Sequence, residues 1–165
     1  MIAALLIAAS TSCVVPAADA EAQLTLDYRT FDALGGTYGW RVLNGSGCTD
    51  AAVALLAAYG AANASRMSAD ERRELSFHAG QALAFAGRDA EAIPHLERAD
   101  DADAAPEWRL YVAATLAFLR RDAAALATAR AAYAKVAAGS MRLRILDGLI
   151  ACPDEPYMKA AHCRM

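Results

Sequence analysis

Apolar residues recur with helical spacing over most of the chain, and segment 67–86 is the clearest case. Ser68 and Glu71 are spaced as a capping box, which marks a helix start, and Gly87 stands where a C-terminal capping glycine is expected. The apolar positions between these signals form one stripe: Leu75, Ala79, Ala82, Leu83 and Ala86. The pattern therefore predicts a helix with one buried face.

A second helix is predicted to begin after Asp89, a favourable N-cap residue, with its own inward positions. These inward positions are Ala92, Ile93, Leu96 and Ala99. Because only residues 87–89 join the two helices, we expect them to lie antiparallel as neighbours.

The same arrangement recurs downstream, between a helix start at Pro106 and a helix end at Gly139. The two turns, G-R-D-A-E-A at 87–92 and R-R-D-A-A-A at 120–125, align with an offset of 33 residues. Helical hairpins of fixed period are typical of a solenoid. The sequence predicts an all-α fold of stacked antiparallel helical hairpins with no sheet.

At these positions the chain resembles the tetratricopeptide repeat (TPR) family, whose hairpin unit has about 34 residues. In unit 73–106 the family's signature places hold Gly80, Leu83, Gly87, Ala92, Leu96 and Ala99. In the next unit they hold Ala113, Leu116, Ala125, Ala129 and Ala132, and a weaker unit upstream holds Trp40, Leu43, Gly47, Ala52 and Leu56. The resemblance covers about residues 37–150. Plain stacking of α-hairpins without a link to this family remains an alternative.

The resemblance implies a peptide-binding groove on the first helix of each unit. Carried onto this chain, the groove positions are Glu74, Phe77, Gln81, Phe85, Leu110, Ala114 and Phe118. The first helices of the two units also carry a second apolar stripe each. Such a stripe is expected to be covered by a partner or by another part of the chain. Two readings stay open: a peptide fills the groove, or the chain fills it with the C-terminal helix or the segment around residues 24–31.

The N-terminal residues 1–20 are apolar, lack Lys and Arg, and end in the small-residue triplet Ala18-Asp19-Ala20. This pattern predicts an export signal cleaved after Ala20, which leaves 21–165 as a single helical domain. The alternative is a lipoprotein anchored at Cys13. The apolar run is too short to span a bilayer, and no other segment predicts a transmembrane helix.

Cleavage after Ala20 would leave three cysteines, Cys48, Cys152 and Cys163. In an exported protein these cysteines are exposed to an oxidising compartment, where disulfides persist. Cys152 and Cys163 flank two helix-breaking prolines, so we expect a disulfide that staples the C-terminal cap. Cys48 lies at the first hairpin turn, several helices away, and is expected to be free.

The composition narrows the function further. The formal net charge of −3 gives no indication of a nucleic-acid partner. The three histidines, His78, His95 and His162, do not have metal-ligand spacing, and the acids at 100–103 lack the glycine of a calcium loop. No catalytic residue, metal or cofactor is predicted.

The predicted function is a non-catalytic protein- or peptide-binding or scaffold module in the bacterial periplasm or cell envelope, with an unidentified partner. The alternative is a small enzyme or metal-binding protein whose site is assembled from scattered residues.

Overall fold

The computed structural model describes residues 13–33 and 36–163, and within these ranges it contains ten helices and no strand. The helices are α1 (Ala17–Thr25), α2 (Tyr28–Asp32), α3 (Trp40–Gly45), α4 (Thr49–Asn63), α5 (Ala69–Phe85), α6 (Asp89–Ala99), α7 (Pro106–Leu119), α8 (Ala123–Val136), α9 (Met141–Ala151) and α10 (Tyr157–Ala161). The all-helical prediction is confirmed for this part of the chain. The start of the expected leader, residues 1–12, lies outside the described residues.

Local capping residues set the ends of the longest helix as the sequence predicts. The Glu71 amide donates to Ser68 Oγ (3.2 Å), and the Ser68 amide donates to Glu71 Oε2 (2.7 Å), which closes the capping box. After α5, Gly87 adopts a φ of 73°, a left-handed conformation that glycine takes without steric cost. The expected N-cap of α6 is displaced by one position, because the N-cap is Arg88 and Asp89 is the first helical residue.

The turn after α7 has the same left-handed geometry but lacks a glycine. Arg121 adopts a φ of 59° there and is the counterpart of Gly87, which lies 34 positions earlier in the chain. The sequence offset of 33 is therefore short by one residue, because the alignment matched Gly87 with Arg120.

From α3 onwards, helices that follow one another in the chain pack together. α3 packs on α4, α5 on α6, α7 on α8 and α9 on α10, while α4–α5, α6–α7 and α8–α9 contacts join these pairs. Buried residues divide into a small core around α3 and α4 and a larger one that runs from α5 to α10. These contacts agree with helical hairpins, whereas a regular solenoid stays a prediction.

The C-terminal helices lie across one side of this stack. α9 contacts α7, and α10 contacts α5. Tyr157 at the start of α10 is 1% exposed, and its ring centroid lies 5.5 Å from that of Phe85 and 5.9 Å from that of Phe118. We call the surface of α5 and α7 that faces α9 and α10 the inner face. Over much of its area the inner face is covered by the chain itself.

The N-terminal segment packs mainly on α4. The Phe31 ring stacks on the Tyr59 ring at 3.7 Å between centroids, and both side chains are buried. The Tyr59 hydroxyl donates to the Leu26 carbonyl (2.9 Å), and Asn63 Nδ2 donates to the Leu24 carbonyl (3.1 Å). Residues 24–31 therefore belong to the smaller core, and Tyr28 also reaches Glu74 at one end of the predicted groove.

Two disulfides lie within the described residues. Cys152 is bonded to Cys163, with 6.4 Å between their Cα atoms, as the sequence predicts. The prediction of a free Cys48 is wrong, because Cys48 is bonded to Cys13. That prediction assumed that Cys13 is removed with the leader. Cleavage after Ala20 would cut α1 and discard Cys13, so this cleavage and the Cys13–Cys48 bond exclude one another in the mature protein.

Peptide mapping without reduction is expected to yield Cys13–Cys48 and Cys152–Cys163 as the two linked pairs. The bonds close loops of 35 and 11 residues, which the chain-entropy model translates into about 4 and about 3 kcal/mol of stabilisation. Cys48→Ser should therefore lower the urea midpoint slightly more than Cys163→Ser does. A mature chain that starts at residue 21 and carries a free thiol at Cys48 would contradict the N-terminal pairing.

Candidate functional site

Two adjoining cavities lie beside the inner face and share Arg41 and Gln81 in their walls. The first, of about 290 Å³, lies between α2, α3, α5, α7 and α9. The second, of about 420 Å³, lies between α3, the start of α4, α5 and α10, and Met158 is at its edge. We call the two cavities together the inner cleft.

The first cavity combines charged and aromatic walls. Its polar side chains are Asp32, Arg41, Glu74, His78, Gln81 and Arg142, and its aromatic side chains are Phe77, Trp108 and Tyr111. The Phe77 ring lies 5.3 Å from the Trp108 ring and 5.4 Å from the Tyr111 ring, so the three rings form one packed wall. Polar groups on a rigid aromatic wall are typical of binding sites.

Asp32 joins three helices at the edge of this cavity. Arg41 Nη2 donates to both carboxylate oxygens at 2.9 Å, Arg41 Nε donates to the Asp32 carbonyl at 2.5 Å, and His78 Nε2 lies 3.1 Å from Oδ1. Burial raises the pKa of the Asp32 carboxyl, but the His78 and Arg41 contacts outweigh it and hold this pKa below its ordinary value. The cluster fixes α2, α3 and α5 relative to one another.

Acid is expected to weaken the fold through Asp32. Since the pKa of Asp32 in the folded state is depressed, its contribution is fully present above the ordinary value of 3.8 and is lost as the pH falls through the lower folded pKa. Urea midpoints measured from pH 2 to 7 should fall less steeply in acid for Asp32→Asn than for the wild type. Asp154→Asn, at an exposed residue without an ion pair in the described structure, is the control and should keep the wild-type slope.

Arg142 and Glu74 line the same cavity, and neither forms an ion pair within the described part of the chain. The Arg142 guanidinium carbon lies 5.3 Å from the centroids of both Trp108 and Tyr111, a cation–π arrangement. The Glu74 carboxylate faces the Tyr28 hydroxyl, and after burial and the charge of Asp32 it contributes to the raised pKa of Tyr28. The cavity therefore holds one cation and one anion that are not neutralised by each other.

The predicted groove residues divide between the cleft and the core. Glu74, Phe77 and Gln81 line the first cavity, and Phe85 lines the second. Leu110 is partly buried against the larger core, while Ala114 (0% exposed) and Phe118 (3%) are buried within it.

An open groove along both helices is therefore wrong for this structure. Phe77 is also only 3% exposed and contributes only an edge to the cleft. The reason is that α9 and α10 lie on the inner face. Filling of the groove by the C-terminal helix was one of the two alternatives that the sequence left open. The end of the groove near α3 stays open, as the inner cleft.

Sequence reasoning missed most of the polar residues of the cleft. Asp32 and Arg41 lie on two short successive helices and Arg142 lies about 100 residues further along the chain, whereas periodicity indicates only which residues share a face of one helix. His78 was considered only as a metal ligand, together with His95 and His162, whereas its contacts are with Asp32 and Arg41. The position of the Trp108 ring beside these polar side chains was not predictable, because they come from other helices.

Among the described residues no group of three His, Cys, Asp or Glu side chains is placed to hold a metal ion. Nor is any helix there both long enough and apolar enough to cross a membrane.

These observations define an all-helical protein with a small cleft of mixed polar and aromatic character. No family model, no curated protein and no solved structure shows significant similarity to the chain. The resemblance to the tetratricopeptide family accordingly stays a prediction.

Proposed function

We propose that this protein is a non-catalytic binding module that acts outside the cytoplasm and receives a peptide or a segment of a partner protein in the inner cleft. The observation that carries the proposal is the first cavity, where Arg142 and Glu74 are presented without ion-pair partners beside a packed aromatic wall. Partly buried charged groups beside aromatic rings are side chains that commonly anchor ligands.

A non-catalytic role is supported by the way in which the one Asp–His pair of the cleft is used. His78 Nε2 faces Asp32 and Arg41, and among the described residues no Ser, Thr or Cys side chain bonds to either ring nitrogen. A nucleophile would need a base within hydrogen-bond distance. The pair instead braces the helices that form the cleft.

The location is supported by the two disulfides, since such bonds persist in oxidising compartments such as a periplasm or the outside of a cell. If a leader is removed, we propose that it ends upstream of Cys13. A lipid on Cys13 would occupy the sulfur that bonds to Cys48, so the Cys13–Cys48 bond favours a freely released chain over the lipoprotein alternative.

Site-specific photo-crosslinking tests the proposed function. A photoreactive residue is placed at Met158, which is 49% exposed and lines the second cavity, or at Met141, which is 54% exposed and lies outside the inner cleft. In envelope extract of the native cell, position 158 should yield a discrete adduct that excess unlabelled protein suppresses, and position 141 should not. Equal labelling from both positions, or none from 158, would count against a binding function for the cleft.

A further inference from the structure

We propose that the first cavity binds the two ends of a very short free peptide, of about two residues, with the peptide carboxylate on Arg142 and its ammonium on Glu74. This inference rests on the proposed function and adds the chemistry of the ligand. It predicts that a zwitterion binds and that an internal segment of a long chain does not.

The Arg142 guanidinium is held in place but has no carboxylate partner among the described residues. Its guanidinium lies over the Trp108 and Tyr111 rings, which fixes its position but leaves its N–H donors without a carboxylate in the described structure. An arginine presents its donors in a planar fork that matches a carboxylate. A carboxylate in the cavity would therefore meet donors that are already oriented.

The Glu74 carboxylate is the negative charge of this cavity that has no ion-pair partner within the described part of the chain. It lines the same cavity of about 290 Å³ as Arg142, yet the two side chains do not form an ion pair. Opposite charges that line one cavity attract each other, and the attraction is stronger where water is partly excluded. Arg142 is held on its aromatic wall and Glu74 faces Tyr28, so both charges remain available to a ligand with the opposite polarity at each end.

The other charges of the cavity do not change this balance. Asp32 and Arg41 are bonded to each other, and His78 faces both of them. The ligand therefore meets one unpaired cation and one unpaired anion, which fits a zwitterion of zero net charge. A purely anionic or purely cationic ligand would leave one of the two charges uncompensated.

Size and polarity set the length of the ligand. A volume of about 290 Å³ lies at the lower end of ordinary ligand pockets, which suits a dipeptide. The second cavity continues past Gln81, with Trp40 and Phe85 in its wall. The aromatic rings of both cavities can take an apolar side chain of the ligand.

Calorimetric titration with one dipeptide in three forms tests the inference. The probes are alanyl-leucine, its N-acetyl derivative and its C-terminal amide, all at pH 7 and moderate salt. The free dipeptide should bind the wild type, and each cap should weaken binding about tenfold or more, since each removes a charged hydrogen-bonding end. Equal binding of the three forms would overturn the inference.

Variants assign each end of the dipeptide to its residue. Arg142→Gln should abolish the difference between the free dipeptide and its amide, and Glu74→Gln should abolish the difference between the free and acetylated forms. Arg144→Gln and Glu107→Gln, at exposed positions outside the cavity, are the controls and should keep both differences. Circular dichroism melts show whether each variant is folded, and the three probes on the wild type decide the question if a variant is not.

The inference and the proposed function fail in different ways. If no form of the dipeptide binds while position 158 still gives its adduct, the short-peptide inference is wrong and the binding function stands. If neither result is obtained, both are wrong.

Discussion

Phe77→Ala and Phe118→Ala are each expected to lower the free energy of unfolding by about 3–5 kcal/mol, the usual cost of truncating a buried phenylalanine. Both side chains are 3% exposed. The Phe77 ring packs against Trp108 and Tyr111, and the Phe118 ring lies 5.9 Å from that of Tyr157. Urea denaturation followed by circular dichroism measures the change, and the double variant is expected to lack a cooperative transition.

Ile150→Ala is the control for this pair, because Ile150 is a large apolar residue that is 41% exposed. It should change the free energy of unfolding by less than about 1 kcal/mol. If the two phenylalanine variants behave like this control, their rings are exposed and the inner face is an open groove after all.

Gly148→Ala is expected to lower the free energy of unfolding by about 3 kcal/mol, because it would force α9 and α10 apart. A Cβ atom at Gly148 would overlap the carbonyl oxygen of Ala160, and this oxygen belongs to the backbone of α10, which cannot turn aside. Overpacking against a backbone atom costs more than the helix propensity gained from alanine. Denaturant titration of the purified variant measures the loss.

Gly45→Ala is the matched substitution at a site with space. A Cβ atom at Gly45 would meet no atom within 4 Å, so stability should stay the same or rise by up to about 1 kcal/mol. A Gly148→Ala variant as stable as Gly45→Ala would mean that α10 does not pack on α9 at this point.

Elements that depend on local chemistry could be predicted from the sequence. The capping box at Ser68, the turn at Gly87 and the proline start of α7 at Pro106 are all short-range features, and the structure has each of them. The turn at Arg121 was misplaced by one residue, because a left-handed arginine has no sequence signature.

Features that join distant parts of the chain were the ones that sequence reasoning could not place. Periodicity indicated second apolar stripes that include Phe77 and Phe118, but it did not indicate what covers them. A bound peptide and the chain's own α10 would both require apolar residues at these positions. Which of the two covers the stripe depends on how the loop after α9 turns. The resemblance to a family with a peptide-binding groove did not decide between the two.

The partner of Cys48 was missed for a related reason. The small-residue triplet ending at Ala20 satisfies the requirements of a signal peptidase, and it satisfies those of a helix equally well. Because the sequence alone assigned Cys13 to the leader, Cys48 was left without a partner. Only the packing of the N-terminal segment on Tyr59 and Asn63 shows why Cys13 reaches Cys48.

The claim on which this account depends most is that α10 lies on the inner face and confines the open part of the groove to the inner cleft. Nuclear Overhauser contacts between the ring protons of Tyr157 and those of Phe85 and Phe118, in protein with selectively labelled aromatic residues, test it most directly. The ring centroids are 5.5 and 5.9 Å apart, so strong contacts to both phenylalanines are expected. Absence of both contacts, with a Tyr157 ring open to solvent, would contradict the claim.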